Sequence, residues 1–118
     1  MTRSTLVPIC ALILASCGGD DHNDDGHSHS EDVEHIMALH GDADSGAVVF
    51  DASCANSACH GVDGDSGTAP RLSEAVPEHT DEQLAALIAY GDGDMPAQSS
   101  LSDQEVADVI AYVQQAYP

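Results

Sequence analysis

"CANSACHG", residues 54–61, is the stretch on which the reading of this chain turns. Two thiols, Cys54 and Cys59, lie close together, and an imidazole, His60, follows the second at once. Four residues, Ala55-Asn56-Ser57-Ala58, separate the thiols. Such a run can close a disulfide, supply ligands to a metal ion or fasten a prosthetic group through sulfur. The rest of the chain has to decide between them.

A length of 118 residues allows one small domain. It holds one Phe, three Tyr and no Trp. Large side chains normally supply much of a small core's apolar area. A domain this short and this poor in them is marginal unless a disulfide, a metal or a cofactor adds stability. The charge balance is extreme, with 21 acids against two bases, Arg3 and Arg71, and no Lys. Phosphate contacts need Lys and Arg, so nucleic-acid binding is excluded as a function class. A partner surface carrying positive charge is the natural electrostatic complement. Solubility, or a salty habitat, accounts for the acidity equally well.

The N-terminus reads as an address. Arg3 precedes a run from Leu6 to Ala15 that is apolar but too short to span a bilayer. It ends in "LASC", residues 14–17, which resembles the lipobox of bacterial lipoproteins. That resemblance implies a signal peptide over residues 1–16 and a lipid on Cys17. The anchor would hold the protein on a membrane, since each buried methylene contributes about 0.8 kcal/mol. Gly18 follows, where Asp would indicate retention in the inner membrane, so the outer membrane of a Gram-negative-type envelope is slightly favoured. Cys10 then leaves with the signal and Cys17 takes the lipid, which leaves Cys54 and Cys59 in an oxidising compartment. Arg71 becomes the single base of the mature chain.

Residues 18–34, "GGDDHNDDGHSHSEDVE", carry almost no apolar side chains. Composition therefore predicts a flexible acidic tether over residues 17–35. His22, His27, His29 and His35 give it a second reading, as a haem-free metal-binding tail. From residue 36 to 118 the chain becomes periodic and reads as all-α. A first helix lies within residues 41–54, opened by an Asp near 42–44, with Gly46 and Phe50 on one face. An internal Gly costs about 1 kcal/mol relative to Ala, so Gly46 marks a close helix crossing. A second helix begins at a capping box of Thr80 and Gln83, carries Leu84, Leu87 and Ile88, and stops at Gly91. The third begins at Ser102 and Glu105, with Leu101 and Val106 as a hydrophobic staple. Val106, Val109, Ile110, Val113 and Tyr117 recur along it at helical spacing. Between the first two helices, residues 60–78 read as loop. Loops that long in so small a domain make sense if they wrap something.

The order of these signals resembles a monohaem class I cytochrome c over about residues 38–118. The matching pieces are Gly46 and Phe50, the Cys and Cys-His of residues 54–60, "APRL" at 69–72, "GDGDMPAQ" at 91–98 and "VIAYV" at 109–113. The resemblance implies a small cytochrome c fold of three main helices and long loops around one haem c. It further implies thioethers to Cys54 and Cys59 and axial iron ligation by His60 and Met95. A His and Met pair raises the reduction potential and leaves no open coordination position, which suits electron transfer rather than catalysis. Pro96 restricts the residue before it and would help to aim Met95. Pro70, ten residues after His60, matches the proline whose carbonyl orients the axial imidazole. Arg71 beside it is placed to meet a haem propionate. Redox proteins, with a basic docking patch, are the implied partners.

The departure is the spacing, because the family pattern has two residues between the cysteines. Two additional ones can bulge outward while both sulfurs keep their places, or a single thioether through Cys59 can suffice. A Cys54–Cys59 disulfide, a zinc site of Cys54, Cys59, His60 and His79, and a haem enzyme with an open iron position use the same residues differently. His40 and His79 are rival axial ligands. Met37 reads as a packing residue at the end of the tether.

Overall fold

The computed structural model of the chain describes residues 25–118, with side chains from residue 29 onward. The expected signal peptide over residues 1–16, Cys17 and His22 lie outside the described residues, as does the side chain of His27. Five helices follow one another: α1 (Asp25–Ala38), α2 (Ala43–Ser53), α3 (Leu72–Glu78), α4 (Asp81–Tyr90) and α5 (Asp103–Ala116). No strand occurs among the described residues, only a single bridge between Asp92 and Met95.

The three expected helices are α2, α4 and α5, and their caps are the ones legible in the sequence. Asp42 accepts the Ser45 N–H at 2.9 Å and so opens α2. Thr80 with Gln83 and Ser102 with Glu105 form complete capping boxes at α4 and α5. Gly91 ends α4 at a φ of 78°, which a side chain would strain. The centre of the fold is the crossing of α2 on α5. Gly46 makes it close, because a Cβ there would lie 1.9 Å from the Asp108 carbonyl oxygen. One turn on, Phe50 meets Tyr112 with ring centroids 5.2 Å apart and planes tilted by 48°. Asp108 is buried at this crossing. Its carboxylate accepts the Asp42 N–H at 2.8 Å and the Gln104 side chain at 2.9 Å, which ties the start of α2 to α5.

Two helices depart from expectation. Residues 25–35, read from composition as coil, belong to α1. Only its last turns carry an apolar stripe, with Ile36 buried and Val33 and Met37 half-buried against the core. Its polar half is held by partners distant in sequence. His29 stacks on Tyr90 at 3.8 Å between centroids. The Tyr90 hydroxyl donates to Asp32 at 2.6 Å, and His35 meets Asp103 at 2.7 Å. The second helix is α3, which lies in the stretch read as loop. It is seven residues long, contains Pro77 and has no capping side chain at Arg71. Asp65, arriving from the preceding loop, accepts the Ser73 N–H at 3.1 Å in place of the missing cap. Leu72 and Val76, four apart, give α3 its inward face.

The docking of α1 is testable through Tyr90. Burial first, then the bond to Asp32 and the charges of Asp32 and Asp103, push its hydroxyl up to about 12. A raised acid favours the neutral form, so this contact is complete below about pH 10, the ordinary phenol value, and is lost as pH rises through about 12. Tyr90→Phe is expected to remove about 1 kcal/mol from α1 docking. Faster amide exchange confined to α1 would report it, and unchanged exchange there would count against the contact.

Candidate functional site

The run at residues 54–61 begins where α2 stops. The N–H groups of Cys54 and Ala55 both donate to the Phe50 carbonyl, at 2.8 and 2.9 Å, so the helix tightens and ends. The chain then leaves for a few residues and returns. Asn56 organises the excursion. Its side-chain oxygen accepts the Ala58 N–H at 2.8 Å. Its backbone carbonyl accepts from Cys59 and Gly61 at 2.8 and 3.0 Å. Asn56, Ser57 and Ala58 are exposed, so the additional residues point into solvent. On the return, the His60 N–H donates to the Cys54 carbonyl at 3.2 Å. In a helical turn that bond joins residues four apart. Here it joins residues 54 and 60, and the widened spacing is absorbed outside the turn.

Both cysteines are free thiols, Cys54 buried and Cys59 half-buried, so the disulfide reading is not realised in the structure. Burial, and then the neighbouring Cys59, push the Cys54 thiol up to about 11. It is therefore protonated at neutral pH. His60 is half-buried, and its Nδ1 is sealed from solvent without a hydrogen-bond partner. Burial holds its pKa below the ordinary value, and the Pro70 carbonyl opposes that in part. The carbonyl acts on the ring without closing into a bond of ordinary geometry.

Residues 61–70 fold back onto Cys59 and His60. Gly67 donates to the His60 carbonyl at 3.1 Å and Ala69 to the Cys59 carbonyl at 2.8 Å. The Thr68 hydroxyl donates to the Ala58 carbonyl at 2.6 Å. A Cβ on Gly67 would sit 2.1 Å from the Cys59 carbonyl oxygen, so the backbones meet where only glycine fits. Further along, Tyr117 at the end of α5 donates to the Asp63 carbonyl at 2.8 Å and clasps the same loop.

Met95 lies in a tight turn after α4. Asp92 and Met95 exchange both backbone bonds, at 3.0 and 2.9 Å. A Cβ on Gly91 would fall 2.5 Å from the Met95 carbonyl oxygen. Gln98 donates its N–H to Ile88 at 2.9 Å and anchors the far end of the turn to α4. Met95 is half-buried against the apolar core that also contains Cys54. Arg71 is exposed and pairs with no carboxylate among the described residues. The rival ligands are otherwise engaged or remote. His79 Nδ1 lies 2.6 Å from the Ala75 carbonyl. Only the backbone carbonyl of His40 is used, by Gln104. No three of His, Cys, Asp and Glu converge as a metal site among the described residues, so Cys54, Cys59, His60 and His79 do not form a zinc centre. An open groove of about 650 Å3 lies between α1 and α4, lined in part by His29, Val33, His79 and Leu87. None of Cys54, Cys59, His60 or Met95 lines it, and the free thiols with the orphaned imidazole mark the chemistry better than its volume does.

Residues 41–113 match the family described as "Cytochrome C oxidase, cbb3-type, subunit III". The chain belongs to the cytochrome c family. It is similar to a "Cytochrome c-553-like" protein of Synechocystis, 31% identical over 81 residues that make up 69% of this chain and 75% of that one. It is also similar to "Cytochrome c-551" of Bacillus subtilis, 28% identical over 101 residues, 86% of this chain and 81% of that one. Among solved structures, cytochrome c6 of the diatom Phaeodactylum tricornutum superposes with a TM-score of 0.53 at 31% identity, covering 65% of this chain and 95% of that one. The all-α fold is accordingly that of a small cytochrome c, and membership implies one covalently bound c-type haem.

The residues of this cytochrome c fit such a group. It has two free thiols joined across one turn, a buried imidazole nitrogen with no protein partner and a half-buried thioether on the same core. Three contributors were not singled out in the sequence. Asn56 was visible as an Asx-turn residue inside a short polar insert. Gly67 was one of several glycines in a turn-rich loop, and nothing local set it apart. Thr68 carries no sequence signal for a contact ten residues back.

Proposed function

We propose that this cytochrome c is a lipid-anchored one-electron carrier on the periplasmic side of the cell envelope. Cys54 and Cys59 would hold the haem by thioethers, and His60 and Met95 would be its axial ligands. A c-type haem, when bound, supplies an iron that takes up and releases one electron. The observation that carries this reading is His60, whose Nδ1 is buried without a partner beside the Pro70 carbonyl. Were Nδ1 to donate to that carbonyl once haem is bound, the opposite ring nitrogen would be the one left for the iron. The turn at residues 92–95 fixes the backbone from which Met95 projects. Arg71, which pairs with no carboxylate among the described residues, is suited to a haem propionate.

No helix among the described residues is long and apolar enough to cross a membrane. Membrane attachment in this reading comes from a lipid on Cys17, with the outer membrane as the favoured site. The acidity of the chain supports a redox partner with a basic docking patch, and electron-transfer rates should then fall with added salt. A rate that rises with salt would oppose that patch. Of the histidines of the alternative metal-binding tail, His29 stacks on Tyr90 and His35 meets Asp103, while His22 and the His27 side chain lie outside the described residues.

The decisive experiment is an absorbance spectrum of the mature protein, expressed with a cytochrome c maturation system, before and after acid–acetone extraction. The haem band is expected to stay with the protein. Haem that extracts, or none at all, would overturn the covalent reading.

A further inference from the structure

The widened cysteine spacing leaves open whether Cys54 can reach the haem together with Cys59. Cys59 is tied to His60 by adjacency, so its position follows the imidazole. Cys54 is separated by the insert, and its position relative to His60 depends on how that insert folds. Three hydrogen bonds converge on Asn56, from Ala58 onto its side chain and from Cys59 and Gly61 onto its carbonyl, while the Thr68 hydroxyl holds the Ala58 carbonyl. The result is the bond from the His60 N–H to the Cys54 carbonyl, the closure of a turn that two fewer residues would make unaided. Asn56 itself is exposed.

Resting on the haem reading above, we propose that Asn56 is a positioning residue for double attachment, folding the insert out of the turn so that Cys54 as well as Cys59 forms a thioether. Each attachment adds a thiol across a vinyl double bond. The sulfur bonds to the inner vinyl carbon and the thiol proton ends on the outer one, with no oxidant or reductant consumed. Only the Asn56 side chain's acceptor is needed for this role, because the carbonyl bonds belong to the backbone. An Asp at the same place supplies that acceptor, and a methyl group does not.

The test is the α band of the reduced pyridine haemochrome, whose position counts the vinyl groups converted. It is read on the full-length protein matured in cells, for the parent, Asn56→Ala, Asn56→Asp and a variant lacking Asn56 and Ser57. The parent, Asn56→Asp and the shortened loop are expected to show two thioethers. In Asn56→Ala the ratio of doubly to singly attached protein should fall about fivefold, the factor carried by one lost hydrogen bond. If Asn56→Ala yields no holoprotein, the other two variants decide. Two thioethers in both support the proposal, and a single one in either overturns it. An unshifted band in Asn56→Ala also overturns it. A parent with one thioether would overturn this proposal and leave the haem reading standing. A parent whose haem extracts would fail the haem reading itself.

Discussion

Gly46→Ala is expected to cost this protein about 3 kcal/mol of stability, or roughly 15 °C in its thermal midpoint. The added Cβ would lie 1.9 Å from the Asp108 carbonyl oxygen and 2.4 Å from its carbon, both backbone atoms of α5. No rotamer change relieves a clash with backbone, so α2 and α5 have to separate. Separation opens the Phe50–Tyr112 contact and strains the bonds of Asp108 to Asp42 and Gln104. Helix propensity pulls the other way by about 1 kcal/mol, which is too little to offset it. Gly93→Asn is the control. Nothing lies within 4 Å of a Cβ there, and Asn tolerates its φ of 54°. That variant should stay within about 0.5 kcal/mol of the parent. A Gly46→Ala protein as stable as the control would mean that the crossing is not the close one described.

The second large effect is expected at Met95. Replacing it by Ala removes the thioether from a turn whose backbone bonds do not depend on the side chain, so the fold and the covalent attachment should survive. The spectrum of the holoprotein should change, and its reduction potential should fall by something on the order of 100 mV, because Met ligation raises potential and axial ligands span a wide range. Met37→Ala separates ligation from packing. Met37 is half-buried against the same core but sits on α1, so its loss should cost stability and leave the potential unmoved. If Met95→Ala left both spectrum and potential at the parent values, the second axial ligand would have to be sought elsewhere.

The parts of this fold that could be read directly were those whose signals are local. Asp42, Thr80 with Gln83, and Ser102 with Glu105 cap their own helices, and Gly91 ends one. What could not be read draws its stabilising groups from far along the chain. The polar half of α1 is held by Tyr90 and Asp103, more than fifty residues away. The start of α3 is capped by Asp65 rather than by a residue at its own N-terminus. The site divides the same way. Cys54, Cys59, His60 and Met95, the proposed haem residues, are legible by chemical type and order. The backbone contact of Gly67 with Cys59 arises only once the loop has folded back.

If Cys17 carries the proposed lipid, the helix α1 also limits how far the redox domain can roam. If residues up to 35 were coil, a domain anchored at Cys17 would explore an average radius of about 23 Å. α1 begins at Asp25 and is docked on α4 and α5, and a coil of only the residues between Cys17 and Asp25 would average about 16 Å and reach at most about 28 Å when fully stretched. The volume searched would shrink roughly threefold, and the local concentration of a membrane-bound partner inside it would rise by the same factor. Under the lipid anchor proposed above, docking of α1 would trade range for encounter frequency and keep electron exchange close to the lipid surface.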